Sequence, residues 1–266
     1  MTIAPSTPRL IAEKRGSVGW LIFNNPERHN AVSMDMWEGV PDIIAHFQDD
    51  AEIRTVVLTG AGDKAFVAGA DISQFEETRS DLERSKIYEV KTAAAFNAIA
   101  QCEKPTIAMI RGYCIGGGLG IAASCDLRIA AEGASFAIPA ARLGLAYAAE
   151  GTRRLVEIVG PAYAKEIFFT ARRFTDQEAS RMGLVNRVVP TADLEASVAE
   201  ICEIIGENAP LTVATAKKTV DSYSLEADER AYAEVETWIA RCFASDDYAE
   251  GRTAFMEKRK PVFKGK

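Results

Sequence analysis

Hydrophobic and polar positions alternate between two periods along the first 190 residues, and only the helical period continues after them. Leu10 to Glu13 and Val18 to Phe23 flank a Lys14-Arg15-Gly16-Ser17 turn and predict a hairpin. A helical segment follows, capped by Ser33 and running towards Phe47, in which Pro41 predicts a kink or two shorter helices. Arg54 to Thr59 is a buried-strand pattern ended by Gly60-Ala61-Gly62-Asp63; Phe66 to Ile72 is a loop, and Glu76 to Cys102 a long helical region.

The stretch from Lys104 to Asp126 changes period most abruptly. Pro105 to Ile110 has strand composition, Gly112 and the triplet Gly116-Gly117-Gly118 follow, and from Leu119 the residues are small and helix-compatible. The triplet therefore sits at a predicted helix N-terminus, where unpaired N–H groups and the helix dipole favour an oxyanion; a tight turn with close helix packing accounts for three glycines equally well. Strands are expected at Leu127 to Ala131, Ser135 to Ala137 and Leu184 to Val189. Helices are expected at Gly151 to Val159 and Pro161 to Phe169, and after a Thr175–Glu178 capping box closed by Gly183. Beyond Thr191 the pattern is helical, interrupted near Pro210, Ser224 and Ser245. Alternating strands and helices imply crossovers and largely parallel sheets, an α/β class, with residues 1–190 as a core and 191–266 as a helical oligomerisation region.

Composition narrows the chemistry. The formal charge of −7 argues against a general nucleic-acid binder, which needs basic patches to neutralise phosphates, so an anionic ligand must meet local positive charge. No apolar run approaches a membrane span, and MTIAPSTPRL lacks a secretory pattern; a cytoplasmic protein without membrane contact is expected. Five widely spaced cysteines in apolar or helical contexts fit buried thiols better than disulfides or a zinc site. With two histidines, a His-containing metal cluster or a Ser-His-Asp triad lacks parts. The triplet is followed by neither a P-loop lysine nor dinucleotide spacing, so no metal or redox cofactor is implied.

Four stretches, FVAGADISQF (66–75), KPTIAMIRGYCIGGGLGIAASCD (104–126), ARRFTDQEASRMGLVNRVVP (171–190) and AFMEKRK (254–260), together resemble the crotonase, or enoyl-CoA hydratase/isomerase, superfamily in order and spacing. The resemblance implies a spiral of ββα units, a C-terminal helical trimerisation region, homotrimers or dimers of trimers, and acyl-CoA as the small-molecule ligand, with coenzyme A entering as part of the substrate. It places the two oxyanion-hole N–H groups at Ala70 and Gly117. Asp71 then holds the turn or caps the next helix. Coenzyme A would be met around Arg28 to Asn30 and Ala68 and by Phe255 and Lys258, although Lys258 to Lys260 also read as a solvated tail.

Family hydratases carry two glutamates that fall here on Gly120 and Ala140, neither of which moves a proton. Glu150, in a loop where some isomerases keep a base, and Tyr147, in a Gly-x-x-Tyr pattern resembling methylmalonyl-CoA decarboxylases, are candidate replacements; helix stabilisation and a pocket wall are their structural alternatives. Three functions follow: an enolate-stabilising hydratase or isomerase, a decarboxylase of a malonyl-type CoA thioester, and a non-catalytic acyl-CoA-binding protein.

Overall fold

The computed structural model describes residues 2–3, 5–71, 82–145, 147, 149–223 and 232–266, leaving aside the side chains of Thr2, Ile3, Leu82, Glu150, Tyr232 and Ala233. Four successive turns of chain build the body. The first is a hairpin, β2 (Leu10–Arg15) and β3 (Val18–Phe23), followed by α1 (Met34–Asp49); β1 (Thr2–Ile3) pairs with the outer edge of β2. The next three are β4 (Thr55–Gly60), β5 (Ala65–Val67) and α2 (Leu82–Gln101); β6 (Thr106–Ile110), β7 (Tyr113–Ile115) and α3 (Gly117–Ser124); and β8 (Leu127–Ala131), β9 (Ser135–Ala137) and α4 (Ala149–Thr170). In each of these three, the first strand joins a long sheet and the second a short one. With β10 (Phe174–Thr175), α5 (Asp176–Arg181) and β11 (Arg187–Val189) added, the long sheet runs β1-β2-β3-β4-β6-β8-β11 and the short one β10-β9-β7-β5. Pairing from β3 through β11 is parallel, as a chain of crossovers requires.

Central strands are buried on both faces, which explains their near-continuous apolar composition. Alternation assigns the faces: Val56 and Leu58 pack into the core beneath α1, with Trp37, Phe47 and Phe66, whereas Val57 faces the other way. That second face is covered by α6 (Leu194–Gly206), whose Leu194, Val198, Ile201 and Cys202 lie against Trp20, Val57, Ile107, Met109 and Ile129. The packed core thus reaches past Pro190. Among the described residues, three further helices follow: α7 (Pro210–Ser222), α8 (Tyr232–Phe243) and α9 (Asp246–Glu257). The last residues are tied back by Asp247, whose carboxylate accepts from the N–H groups of Lys264 and Gly265 at 2.6 and 2.7 Å.

Several details depart from the pattern-based expectations. α1 is one helix with Pro41 inside it; the proline forgoes only its own amide bond. Ser33 is at the N-cap position, yet its hydroxyl donates to Asp35 and does not accept from the helix. β5 and β7 are additional strands: β5 runs into a stretch read as a loop, and β7 is enclosed between Gly112 and the glycine triplet. The expected break before Pro161 is present at Gly160 (φ 73°, ψ 164°), and the Thr175 capping box forms with Glu178. The last strand is confined to Arg187–Val189. Four cysteines are buried and Cys242 is half-buried, so the expectation of buried thiols needs that one correction. Positions 72–81, holding the start of the expected long helix, and Ser224 lie outside the described residues.

Candidate active site

The glycine triplet performs three separate tasks. Gly116, at φ 55° and ψ −116°, makes the left-handed turn from β7 into α3. Gly118 permits close packing: a Cβ there would lie 2.1 Å from the Val67 carbonyl oxygen. Gly117 opens the helix, so its N–H belongs to the first turn, where no helical carbonyl can accept it; a Cβ there would lie 3.1 Å from the Trp37 ring. The packing explanation of the triplet therefore holds outright for Gly118 and in part for Gly117, which also lines a cavity.

Ala70 lies on the same wall. The chain at Val32 bridges it in parallel fashion: Val32 N–H donates to Gly69 C=O at 2.8 Å and Asp71 N–H to Val32 C=O at 3.0 Å. In a parallel bridge these bonds use the amides on either side of Ala70 and turn its own N–H away from Val32. The loop before Val32 is rigid for identifiable reasons. Asn30 is fully buried at φ 58°; its Nδ2 donates to the Ala61 and Ala65 carbonyls at 2.9 and 2.8 Å, and its Oδ1 accepts from Asn25 N–H at 3.0 Å. Arg28 Nη1 donates to both oxygens of the buried Asp71 carboxylate at 2.8 and 3.1 Å. This ion pair pins the Ala70 turn to the loop at Arg28, the geometry expected if Asp71 holds the turn. Ala68 also lines the cavity, with its N–H committed to the His29 carbonyl at 3.0 Å.

The cavity has a volume of about 290 Å³. Opposite the two turns stands one face of α2, contributing Ser85, Glu89, Thr92 and Phe96 among others at helical spacing. The sequence pattern marks this region only as a helix and does not single these residues out. The available signal was the spacing of Glu89 and Phe96, seven apart and hence on one face. Phe96 matters most, because its ring occupies the space beside Gly120: a Cβ on residue 120 would lie 2.7 Å from Phe96 Cζ. The ring stands edge-on to Trp37, with centroids 5.4 Å apart, and Trp37 Nε1 donates to Tyr88 Oη at 2.9 Å. Ala140 lines the cavity from the short helical turn Pro139–Leu143.

Arg154 and Asn97 also line the cavity: Arg154 Nη2 donates to Asn97 Oδ1 at 2.6 Å and Nη1 to Ser124 Oγ at 3.0 Å, while Ser124 donates onward to the Gly120 carbonyl. Tyr147 also lines the cavity; its hydroxyl donates to the Gly116 carbonyl at 3.2 Å. Among the described side chains the wall carries one carboxylate, Glu89, and one guanidinium, Arg154. Glu150 begins α4, and its side chain lies outside the described ones.

Phe255 and Lys258 are not brought to this cavity within the chain. Phe255 is 84% exposed on α9, and Lys258 caps that helix at φ 56°. Lys258 has no ion-pair partner among the described residues, unlike its neighbours: Arg259 pairs with Glu250 and Glu257, and Lys260 with Glu207. All three members of this basic run are exposed, as the solvated-tail reading expects, and two of them also make surface ion pairs.

A sequence model described as enoyl-CoA hydratase/isomerase matches residues 13–266. The chain belongs to the enoyl-CoA hydratase/isomerase family. It is 38% identical to a short-chain-enoyl-CoA hydratase of Clostridium acetobutylicum over 94% of this chain and 95% of that one. It is 37% identical to a crotonyl-CoA hydratase of Syntrophomonas wolfei over 96% and 97%. The solved structure of an enoyl-CoA hydratase/carnithine racemase from Magnetospirillum magneticum superimposes with a TM-score of 0.94 at 34% identity, covering 98% of this chain and 97% of that one. This enoyl-CoA hydratase/isomerase family member thus has the crotonase fold, with Ala140, Gly117 and Ala70 lining one cavity and Gly120 set behind the Phe96 ring that also lines it.

Proposed function

We propose that this protein binds acyl-CoA thioesters with the thioester carbonyl between the N–H groups of Ala70 and Gly117, and stabilises the enolate that forms there. The observation that carries this reading is the meeting of a helix-opening glycine and the Ala70 turn on one cavity wall. Fixed N–H dipoles aimed at developing negative charge need no reorganisation during reaction, and one such donor is worth about 10²–10³ in rate. The first turn of α3 adds the favourable end of its dipole. The hydratase names of the relatives support an enoyl-CoA thioester as ligand. Proton transfer in this reading falls to Glu150 or to Glu89, since positions 120 and 140 carry no acid.

A second reading is favoured by the wall around Gly120. Phe96 fills the space beside it and Ala140 faces the cavity, so no acid at either position repels a carboxylate on the acyl group. In a malonyl-type CoA thioester, departure of CO₂ leaves its bonding electron pair as the enolate, and no base starts the reaction. Tyr147 is on the wall in both readings.

Assay of the purified protein against a panel of enoyl-CoA and malonyl-type CoA thioesters separates them. Turnover of the first class supports hydration or isomerisation and turnover of the second supports decarboxylation; failure to bind either would overturn the proposal. Assembly as trimers or hexamers is part of the same reading, supported by the exposed apolar Phe243, Phe255, Met256 and Val262 of the C-terminal region. Sedimentation as a monomer at micromolar concentration would refute it.

A further inference from the structure

The peptide group joining Gly116 to Gly117 carries the Gly117 N–H on one side and the Gly116 carbonyl on the other. Both flanking residues are glycine, so no side chain resists rotation of that peptide plane, and a flip would turn the N–H out of the cavity. Two hydrogen bonds hold the carbonyl end. Gly120 N–H donates to the Gly116 oxygen at 3.1 Å as the first helical bond of α3, and Tyr147 Oη donates to the same oxygen at 3.2 Å. A carbonyl oxygen has two lone pairs, and both are used here. Hydrogen bonds to a peptide oxygen draw electron density from its nitrogen, which strengthens the N–H on the far side as a donor. Tyr147 itself is placed independently of its hydroxyl: its ring stands edge-on to Phe168, with centroids 5.3 Å apart, and packs over Gly151.

We propose that Tyr147 is a positioning residue for the oxyanion donor at Gly117: its hydroxyl latches the Gly116–Gly117 peptide so that the N–H faces the thioester oxygen, and polarises that N–H. The inference rests on the proposed role of Gly117 and assigns Tyr147 a task that needs no proton transfer to substrate.

The test uses Tyr147→Phe, which keeps the ring against Phe168 and removes only the hydroxyl. The probe is unreactive butyryl-CoA labelled with ¹³C at the thioester carbonyl, read by isotope-edited infrared difference spectroscopy. In the wild type the bound carbonyl stretch should fall below that of the free thioester. In Tyr147→Phe the fall should shrink to half or less, with kcat for the best panel substrate reduced about tenfold, worth about 1.4 kcal/mol, and KM changed less than twofold. A thioester shift in the wild type that is unchanged in Tyr147→Phe overturns the inference and leaves the role of Gly117 standing. No shift in the wild type overturns both. Tyr147→3-fluorotyrosine, a stronger donor of the same shape, gives an independent arm: a larger shift than wild type supports the latch, and an equal or smaller one contradicts it.

Discussion

Placing glutamates at positions 120 and 140 should not by itself create a hydratase, because Phe96 stands where the first of them must go. A Cβ on residue 120 would lie 2.7 Å from Phe96 Cζ and 3.1 Å from Cε1, against about 3.5–4.0 Å for an ordinary carbon contact. The ring must therefore withdraw by roughly 1 Å, and overpacking of this kind costs about 1–3 kcal/mol. Replacing a helical glycine returns about 1 kcal/mol. The Gly120→Glu change alone should thus lose about 0–2 kcal/mol, and its new carboxylate should be displaced by the ring. Adding Phe96→Ala removes the clash, so the glycine and phenylalanine changes should couple favourably by about 1–2 kcal/mol. Crotonyl-CoA hydration should be slow in the wild type, little improved in the Gly120→Glu/Ala140→Glu pair, and raised in the triple variant, since positioned acid–base groups contribute about 10²–10⁴ each. Urea unfolding midpoints and steady-state hydration rates measure both effects. Equal stability and equal rates in the pair and the triple variant would refute the role given to Phe96.

Other perturbations test other parts of the account. Lys258→Glu should weaken acyl-CoA binding in calorimetry, and more so at low salt, because the contact is ionic; unchanged affinity at low salt removes Lys258 from the site. Glu89→Gln and Glu150→Gln, assayed separately on the best enoyl-CoA substrate, should identify the proton-transfer group by a loss of about 10²-fold or more in kcat; no loss in either favours the decarboxylase reading. Arg128 is buried and donates from Nε to the Leu184 carbonyl and from Nη1 to the Cys125 carbonyl at 2.8 and 2.7 Å, so Arg128→Met should strand two carbonyls and cost about 2–4 kcal/mol in urea unfolding; an unchanged midpoint contradicts this. Arg259, and then the Val262 N–H, hold the Glu250 carboxyl down at about 2. A depressed carboxyl stabilises the folded tail above the ordinary value of 4.5 and loses that contribution as pH falls towards 2, so its ¹³C carboxyl resonance should titrate near 2 and not near 4.5.

The long sheet was legible because β-branched runs such as Thr55–Gly60 and Thr106–Ile110 are buried on both faces and interrupted by glycine. The short sheet was legible only at β9; Ala65–Val67 runs into the glycine-containing stretch read as a loop and Tyr113–Ile115 is enclosed by Gly112 and the glycine triplet, so neither stood out as a strand. The turns at Ala70 and Gly117 were legible through their motif context; their approach to a common wall is a tertiary fact. Phe96 and Glu89 could not be assigned, since a helix of weakly separated faces does not tell which side meets a cavity. The Gly116–Tyr147 bond spans 31 residues and involves a backbone carbonyl, which has no sequence signature.

The central claim is that the thioester carbonyl lies between the Ala70 and Gly117 N–H groups. A crystal structure with a bound, unreactive acyl-CoA tests it most directly. The account predicts the carbonyl oxygen at about 2.7–3.1 Å from both nitrogens, with the acyl chain running along α2 past Phe96. A carbonyl oxygen bound elsewhere in the cavity, out of reach of both N–H groups, would contradict it.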